Sequence, residues 1–253
     1  MMAAGAPIII AQLSDPHVVP ETELFHGIDT AASFGECLQQ AQADHAELIL
    51  VSGDLVQVPS QAAYLRYFAQ LDSIHAPSES ICGNHDDPAL AAEFDPDIAA
   101  CRSITLGAWQ LLLLNSHVSG EPYGSLSQQT LDWLKDKVDS AKGYILIALH
   151  HPPLPVGSPG MDRIALLNPE HFWRVLADSS KVKAVVHGHT HQVVDQWHGT
   201  IRVLGAPATS VQFTPGATQI SISDEPPAYR LIALFDNGAL ETQIKPLNNV
   251  RLF

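Results

Sequence analysis

Leu48-Ile49-Leu50-Val51-Ser52-Gly53-Asp54 sets a pattern that the rest of the chain repeats. Four apolar residues are too few for a helix and read as a strand buried on both faces. Ser52-Gly53 ends the run and leaves a carboxylate just beyond it. Upstream, the apolar residues 7–13 run into Ser14-Asp15-Pro16-His17. Downstream, residues 80–82 lead to Gly83-Asn84-His85-Asp86-Asp87, and residues 144–149 to His150-His151-Pro152-Pro153. Residues 182–186 lead to Gly188-His189-Thr190-His191. Five strand ends therefore carry groups able to bind a metal ion.

Helical periodicity fills the intervals. It predicts helices over residues 27–43, 60–72 and 169–178. A further helix should begin near Ser125, with Gln128 as a capping-box partner. Residues 109–114 add a continuous apolar strand. Beyond about residue 195 the chain is strand-rich: residues 201–204, 218–222, 230–235 and 240–244, the last preceded by an Asn237-Gly238 turn. Alternating strands and helices followed by strands predict an α/β fold. The expectation is a layered sandwich with mixed sheets, built as one domain over residues 1–253.

The chain has 253 residues, 46% of them hydrophobic, enough for a sizeable core. No apolar run approaches membrane-spanning length. The N-terminus does not read as a signal peptide. Cys37, Cys82 and Cys101 are three and widely spaced, which points to reduced thiols rather than a disulfide framework and fits a cytoplasmic chain. A net charge of -14 with no basic run argues against a nucleic-acid polymer as partner. A small phosphorylated substrate stays compatible if bound cations reverse the local field.

Ligands at the ends of neighbouring strands converge on one rim of a sheet. Asp15 and His17 are two apart and, if extended, point the same way. Asp54 is the best candidate to be shared by two ions, having two carboxylate oxygens. Asn84 offers a neutral amide oxygen. Mixed nitrogen and oxygen donors suit Mn, Fe, Zn or Co better than Ca. Each block alone has a plain reading as a turn, a cap or a local hydrogen-bonding site. Their joint occurrence at strand ends is what points to a two-ion centre. His45, His75, His117, His171, His187 and His198 have no place in the pattern and read as ordinary, and Trp109, Phe172, Trp173 and Phe235 read as core.

Asp-x-His, Gly-Asp, Gly-Asn-His-Asp, a later His and Gly-His-x-His, in this order, resemble the calcineurin-like metallophosphoesterase family. Within it, four further segments resemble the bacterial class III cyclic nucleotide phosphodiesterases and glycerophosphodiesterases. They are Phe25-His26-Gly27-Ile28-Asp29-Thr30, Leu149-His150-His151-Pro152-Pro153, the segment from Pro207 to Phe213, and Pro227-Ala228-Tyr229-Arg230. The resemblance implies a four-layer α/β/β/α sandwich. It implies one ion on Asp15, His17, Asp54 and His191, and another on Asp54, Asn84, His150 and His189, with Mn or Fe favoured and Zn or Co next. It implies hydrolysis of a small phosphodiester by a hydroxide held between the ions, with a 3',5'-cyclic nucleotide such as cyclic AMP as first choice. A glycerophosphodiester or another small phosphoester is the alternative. His85 would stabilise the phosphoryl charge and protonate the leaving oxygen, with Asn84 and His26 facing the substrate. Asp86 would orient His85, and His151 would support the ligands from behind. A homo-oligomer, most simply a dimer, is expected. A metal-binding scaffold without activity, a nuclease and a protein phosphatase are the rival readings.

Overall fold

The computed structural model describes residues 6–247. Two sheets carry the chain. In the first, β1 (Ile8–Leu13), β2 (Leu48–Val51) and β3 (Ser78–Ser80) run parallel, and β10 (Ala228–Leu234) and β11 (Leu240–Pro246) extend them antiparallel in the order β11-β10-β1-β2-β3. In the second, β5 (Trp109–Leu113), β6 (Tyr144–Ala148), β7 (Val182–His187) and β9 (Ile201–Gly205) are parallel. β4 (Arg102–Leu106) and β8 (Val194–His198) close its two edges antiparallel.

Alternation along the strands explains the layering. Leu48 and Leu50 join Ile10 in a central core against Leu111, Leu113, Leu146 and Val186 of the other sheet. Their neighbours Ile49 and Val51 face the opposite way, with Ala11 and Leu13, onto Phe34, Leu38, Tyr64 and Tyr67. Those four side chains come from α1 (Thr30–Ala43) and α2 (Gln61–Leu71). On the far side, Leu112, Ile145 and Ile147 pack on Leu131, Leu134 and Phe172, carried by α4 (Gln128–Ser140) and α6 (Pro169–Leu176). The order is helices, sheet, sheet, helices: the expected four-layer α/β/β/α sandwich with mixed sheets. Two single-turn helices, α3 (Pro88–Ala91) and α5 (Pro159–Asp162), lie in the connections.

Several boundaries move, for local reasons. α1 starts at Thr30, not residue 27, because Asp29 is its N-cap and accepts from the Ala32 amide. α4 starts at Gln128, not near Ser125, because Ser127 takes the cap and accepts from Thr130. β3 ends at Ser80, before the predicted strand over residues 80–82 has properly begun. The strand expected over residues 218–222 does not form. Only one isolated bridge joins Phe213 to Ile222, and Ile220 and Ile222 are 49% and 42% exposed. Arg230, almost fully buried on β10, ties the two sheets together: it donates to the carbonyls of Val194 and Gly205 and to the Thr242 hydroxyl.

Candidate metal centre

The five polar strand ends meet between the two sheets at the C-terminal ends of the parallel strands. Asp15 and His17 follow β1, Asp54 follows β2, Asn84 and His85 follow β3, His150 and His151 follow β6, and His189 and His191 follow β7. Their backbones are not extended. Asp15, His17, Asp54, His189 and His191 all adopt positive φ, between 45° and 67°. Asp15 and His17 therefore reach one point through a bend, not through strand alternation as the sequence suggested. The bends are held by main-chain bonds, from Asp15 to the Gly53 carbonyl at 3.1 Å and from His17 to the Asp54 carbonyl at 2.9 Å. Gly53 and Gly83 leave room for them. A Cβ on Gly83 would lie 2.2 Å from Asp54 Oδ1, and one on Gly53 would lie 2.3 Å from His150 Nδ1.

Donor atoms of Asp15, His17, Asp54 and His191 lie within 4.8 Å of one another. His17 Nε2 is 3.1 Å from His191 Nε2 and 3.5 Å from Asp54 Oδ2, and His191 Nε2 is 3.4 Å from Asp15 Oδ1. Ligands about 2.1 Å from one ion stand roughly 3.0–3.4 Å apart, so these separations are close to the edges of a coordination polyhedron. On the other side, His150 Nε2 is 3.4 Å from Asp54 Oδ1 and 3.2 Å from Asn84 Oδ1. Nitrogens of His150, His151 and His189 form a second cluster within 4.8 Å. Asp54 thus turns one oxygen toward each group. Two distinct ligand clusters joined by one carboxylate make a dinuclear metal site.

Tautomers and charges suit cations. His150 Nδ1 is 2.7 Å from the Ser52 carbonyl and His191 Nδ1 is 2.6 Å from the Val211 carbonyl. A carbonyl only accepts, so each ring keeps its proton on Nδ1 and presents the Nε2 lone pair inward. His189 Nε2 is buried without a partner, as expected of a nitrogen placed for an ion rather than for the protein. Burial holds His17 and His189 down at about 3, hence neutral. Burial raises the Asp15 carboxyl, but His191 and then His150 outweigh it and leave Asp15 at about 2. Neutral imidazoles with ionised carboxylates are the forms that bind divalent metals.

His150 differs. Burial lowers it, but Asp54 raises it more, to about 9. Since this pKa lies above the usual 6.5, the metal-free protein holds a proton here at neutral pH that an incoming ion must displace. Affinity of the second cluster for Zn²⁺ should therefore rise with pH, by up to about tenfold per unit from pH 6.5 toward 9, and level off above. Calorimetry in buffers of different ionisation enthalpy measures both the affinity and the released proton.

The surrounding residues divide into those that face the cluster and those that brace it. His85 is half-buried, its ring edge-on to His17 at 4.7 Å, and its Nδ1 lies 3.0 Å from the Gln57 carbonyl. Its amide donates to Asp54 Oδ1 at 2.9 Å. Asp86 does not orient His85, contrary to the sequence-based expectation. Its carboxylate turns away and accepts from the amides of Gly83 and Leu55 and from the Tyr64 hydroxyl, tying the loops after β2 and β3 together. The Gln57 carbonyl does the orienting. His26 is exposed at positive φ in a two-residue turn, where Phe25 and Ile28 exchange both main-chain bonds. Phe25 stacks on His17 at 5.2 Å, so His26 stands one ring away from the ligands. Leu24 and Val58, next in sequence to Phe25 and Gln57, are 62% and 66% exposed.

Residues that sequence reading passed over contribute through the main chain. The segment 207–213 brings the Val211 carbonyl to His191 and the Ser210 hydroxyl to the Asp15 carbonyl, and it stacks Phe213 on His191 at 4.0 Å. Carbonyl acceptors leave no side-chain signal. Only the resemblance of the segment from Pro207 to Phe213 to the cyclic nucleotide phosphodiesterases and glycerophosphodiesterases pointed to it.

Comparisons with known proteins agree with this geometry. Residues 8–193 match the calcineurin-like phosphoesterase family. The 3',5'-cyclic adenosine monophosphate phosphodiesterase CpdA of Haemophilus influenzae is 37% identical to this chain, over 99% of this chain and 94% of its own length. CpdA of Pseudomonas aeruginosa is 34% identical, over 98% and 93%. A dimetal phosphatase from Danio rerio superposes with a TM-score of 0.71 at 14% identity, covering 96% of this chain and 99% of that one. A yellow lupin purple acid phosphatase superposes with a TM-score of 0.69 at 10% identity, covering 96% and 52%. Among the described residues no helix is long and apolar enough to cross a membrane.

Proposed function

Because the chain belongs to the calcineurin-like phosphoesterase family, we propose that it is a dinuclear metal-dependent phosphodiesterase that opens 3',5'-cyclic nucleotides, cyclic AMP foremost, to nucleoside 5'-monophosphates. The observation that carries this reading is Asp54, with Oδ2 toward His17 and Oδ1 toward His150 and the amide of His85. One ion would rest on Asp15, His17, Asp54 and His191, the other on Asp54, Asn84, His150 and His189. Mixed nitrogen and oxygen donors favour Mn or Fe, with Zn or Co as alternatives. When bound, the ions supply positive charge and a water nucleophile available at neutral pH.

The protein's own groups would do the rest. His85 keeps a proton on Nδ1, held by the Gln57 carbonyl, so its Nε2 side is left for the substrate. Protonated there, it would stabilise charge growing on the phosphoryl oxygens and pass that proton to the departing 3' oxygen. Asn84 and His26 are the further groups proposed to meet the substrate. The exposed apolar side chains of Leu24 and Val58, beside the segments that hold Phe25 and His85, suit a nucleobase better than a glycerol.

The test is a comparison of kcat/KM on 3',5'-cyclic AMP, 2',3'-cyclic AMP, a glycerophosphodiester and a chromogenic diester with Mn²⁺ supplied. Cyclic AMP should lead the natural substrates by at least about tenfold, the least that one apolar contact to a base contributes. A glycerophosphodiester in first place would replace the cyclic nucleotide as substrate. Inactivity on every phosphoester would end the reading. Cys37 and Cys82, buried free thiols, support a cytoplasmic chain, and the open edge of β11 is the surface proposed for pairing two copies.

A further inference from the structure

We propose that His151 is itself a ligand of the second ion, giving that ion three histidine nitrogens. This rests on the dinuclear reading above but goes beyond the ligand set it assigns. His151 is fully buried, and its Nε2 has no hydrogen-bond partner. An unpaired buried nitrogen is costly to leave idle. Yet this ring is not loosely placed. Its Nδ1 is 2.8 Å from the Ser116 hydroxyl. Behind it, a Cβ on Gly124 would lie 2.3 Å from Nδ1, so only glycine lets the ring sit there.

Ser116 Oγ can give or take a proton bond. With Nδ1 donating to it, the ring turns the Nε2 lone pair inward, as His150 and His191 do with their Nδ1 atoms against carbonyls. The rings agree too. His151 lies 4.9 Å from His150 and 4.7 Å from His189, and those two lie 5.1 Å apart, centroid to centroid. Three imidazoles sharing one ion, each nitrogen about 2.0–2.1 Å from it, place their centroids about 4.5–5 Å apart. The donor atoms of all three fall within 4.8 Å.

A third imidazole changes which metal the second position selects. Nitrogen-rich sites favour Fe, Co or Zn over Mn, whereas the first position keeps two carboxylates. Two different ions in one centre follow from this asymmetry.

The test is metal binding by the intact protein with Co²⁺ and cadmium as probes. Wild type should take up two Co²⁺. His151→Gln and His151→Ala should keep one tight site, lose at least about tenfold in affinity at the other, and change the visible Co²⁺ absorption of that site alone. Spin-active cadmium with 15N-labelled histidine gives a second readout that needs no variant: a one-bond coupling between cadmium and His151 Nε2. Two unchanged sites in both variants, or an uncoupled His151 in the fully loaded wild type, overturns the inference and leaves the dinuclear reading intact. Fewer than two ions in the wild type overturns both. Circular dichroism shows whether each variant is folded; if neither is, the coupling measurement decides.

Discussion

Asp54→Ala should lose both ions and at least about a thousand-fold in diesterase activity, because this carboxylate is the proposed shared ligand of both ions that supply the nucleophile. Its two oxygens face two ligand sets, at 3.5 Å from His17 Nε2 and 3.4 Å from His150 Nε2. Removing it leaves each set one anionic donor short. The loop to His85 is also released, since the His85 amide donates to Oδ1. Metal analysis after gel filtration should fall from two ions per chain toward none. Asp54→Asn keeps one oxygen and should retain partial occupancy of one site with little activity. A fully active Asp54→Ala enzyme would rule out the shared-ligand assignment.

His85→Ala should separate chemistry from metal binding. Its ring touches the His17 ring edge-on but has no place in either ligand cluster. Both ions should stay, while kcat on cyclic AMP falls by about 100- to 1000-fold, the usual range for loss of a general acid combined with a positive charge. The loss should depend on the leaving group. A nitrophenolate departs without a proton, so the same variant should lose only about tenfold on a chromogenic diester. Loss of metal from this variant would instead place His85 among the ligands.

The sequence was most legible where burial and chemistry coincide. β1, β2, β5, β6 and β7 are short runs buried on both faces, and each lies where its apolar stretch placed it. The polar groups beyond them had no packing reason to be there. β4 and β8 were missed because they lie at sheet edges, with every second residue of β4 and most of β8 exposed. Residues 218–222 mislead in the opposite direction. Gln219-Ile220-Ser221-Ile222 alternates as a strand should, but no sheet edge meets it except at one bridge. Asp86 was misjudged because adjacency in sequence was read as adjacency of side chains. Its carboxylate is claimed by the Leu55 amide, 31 residues away, and the Tyr64 hydroxyl, which no pattern announces. The orienting carbonyls of Ser52, Gln57 and Val211 were illegible for the same reason.

The left-handed bends at Asp15, His17, Asp54, His189 and His191 also restrict heredity. A side chain that sits at positive φ costs roughly 1–2 kcal/mol unless it is glycine or one of the few tolerant types. Asp, Asn and His are those types, enriched several-fold in that region, while β-branched residues are nearly excluded. At these five positions the main chain narrows the amino-acid alphabet to much the same letters that divalent ions prefer. A drifting lineage that dropped the ions would still meet the backbone's veto, so the metal-binding vocabulary should outlast the chemistry that first required it.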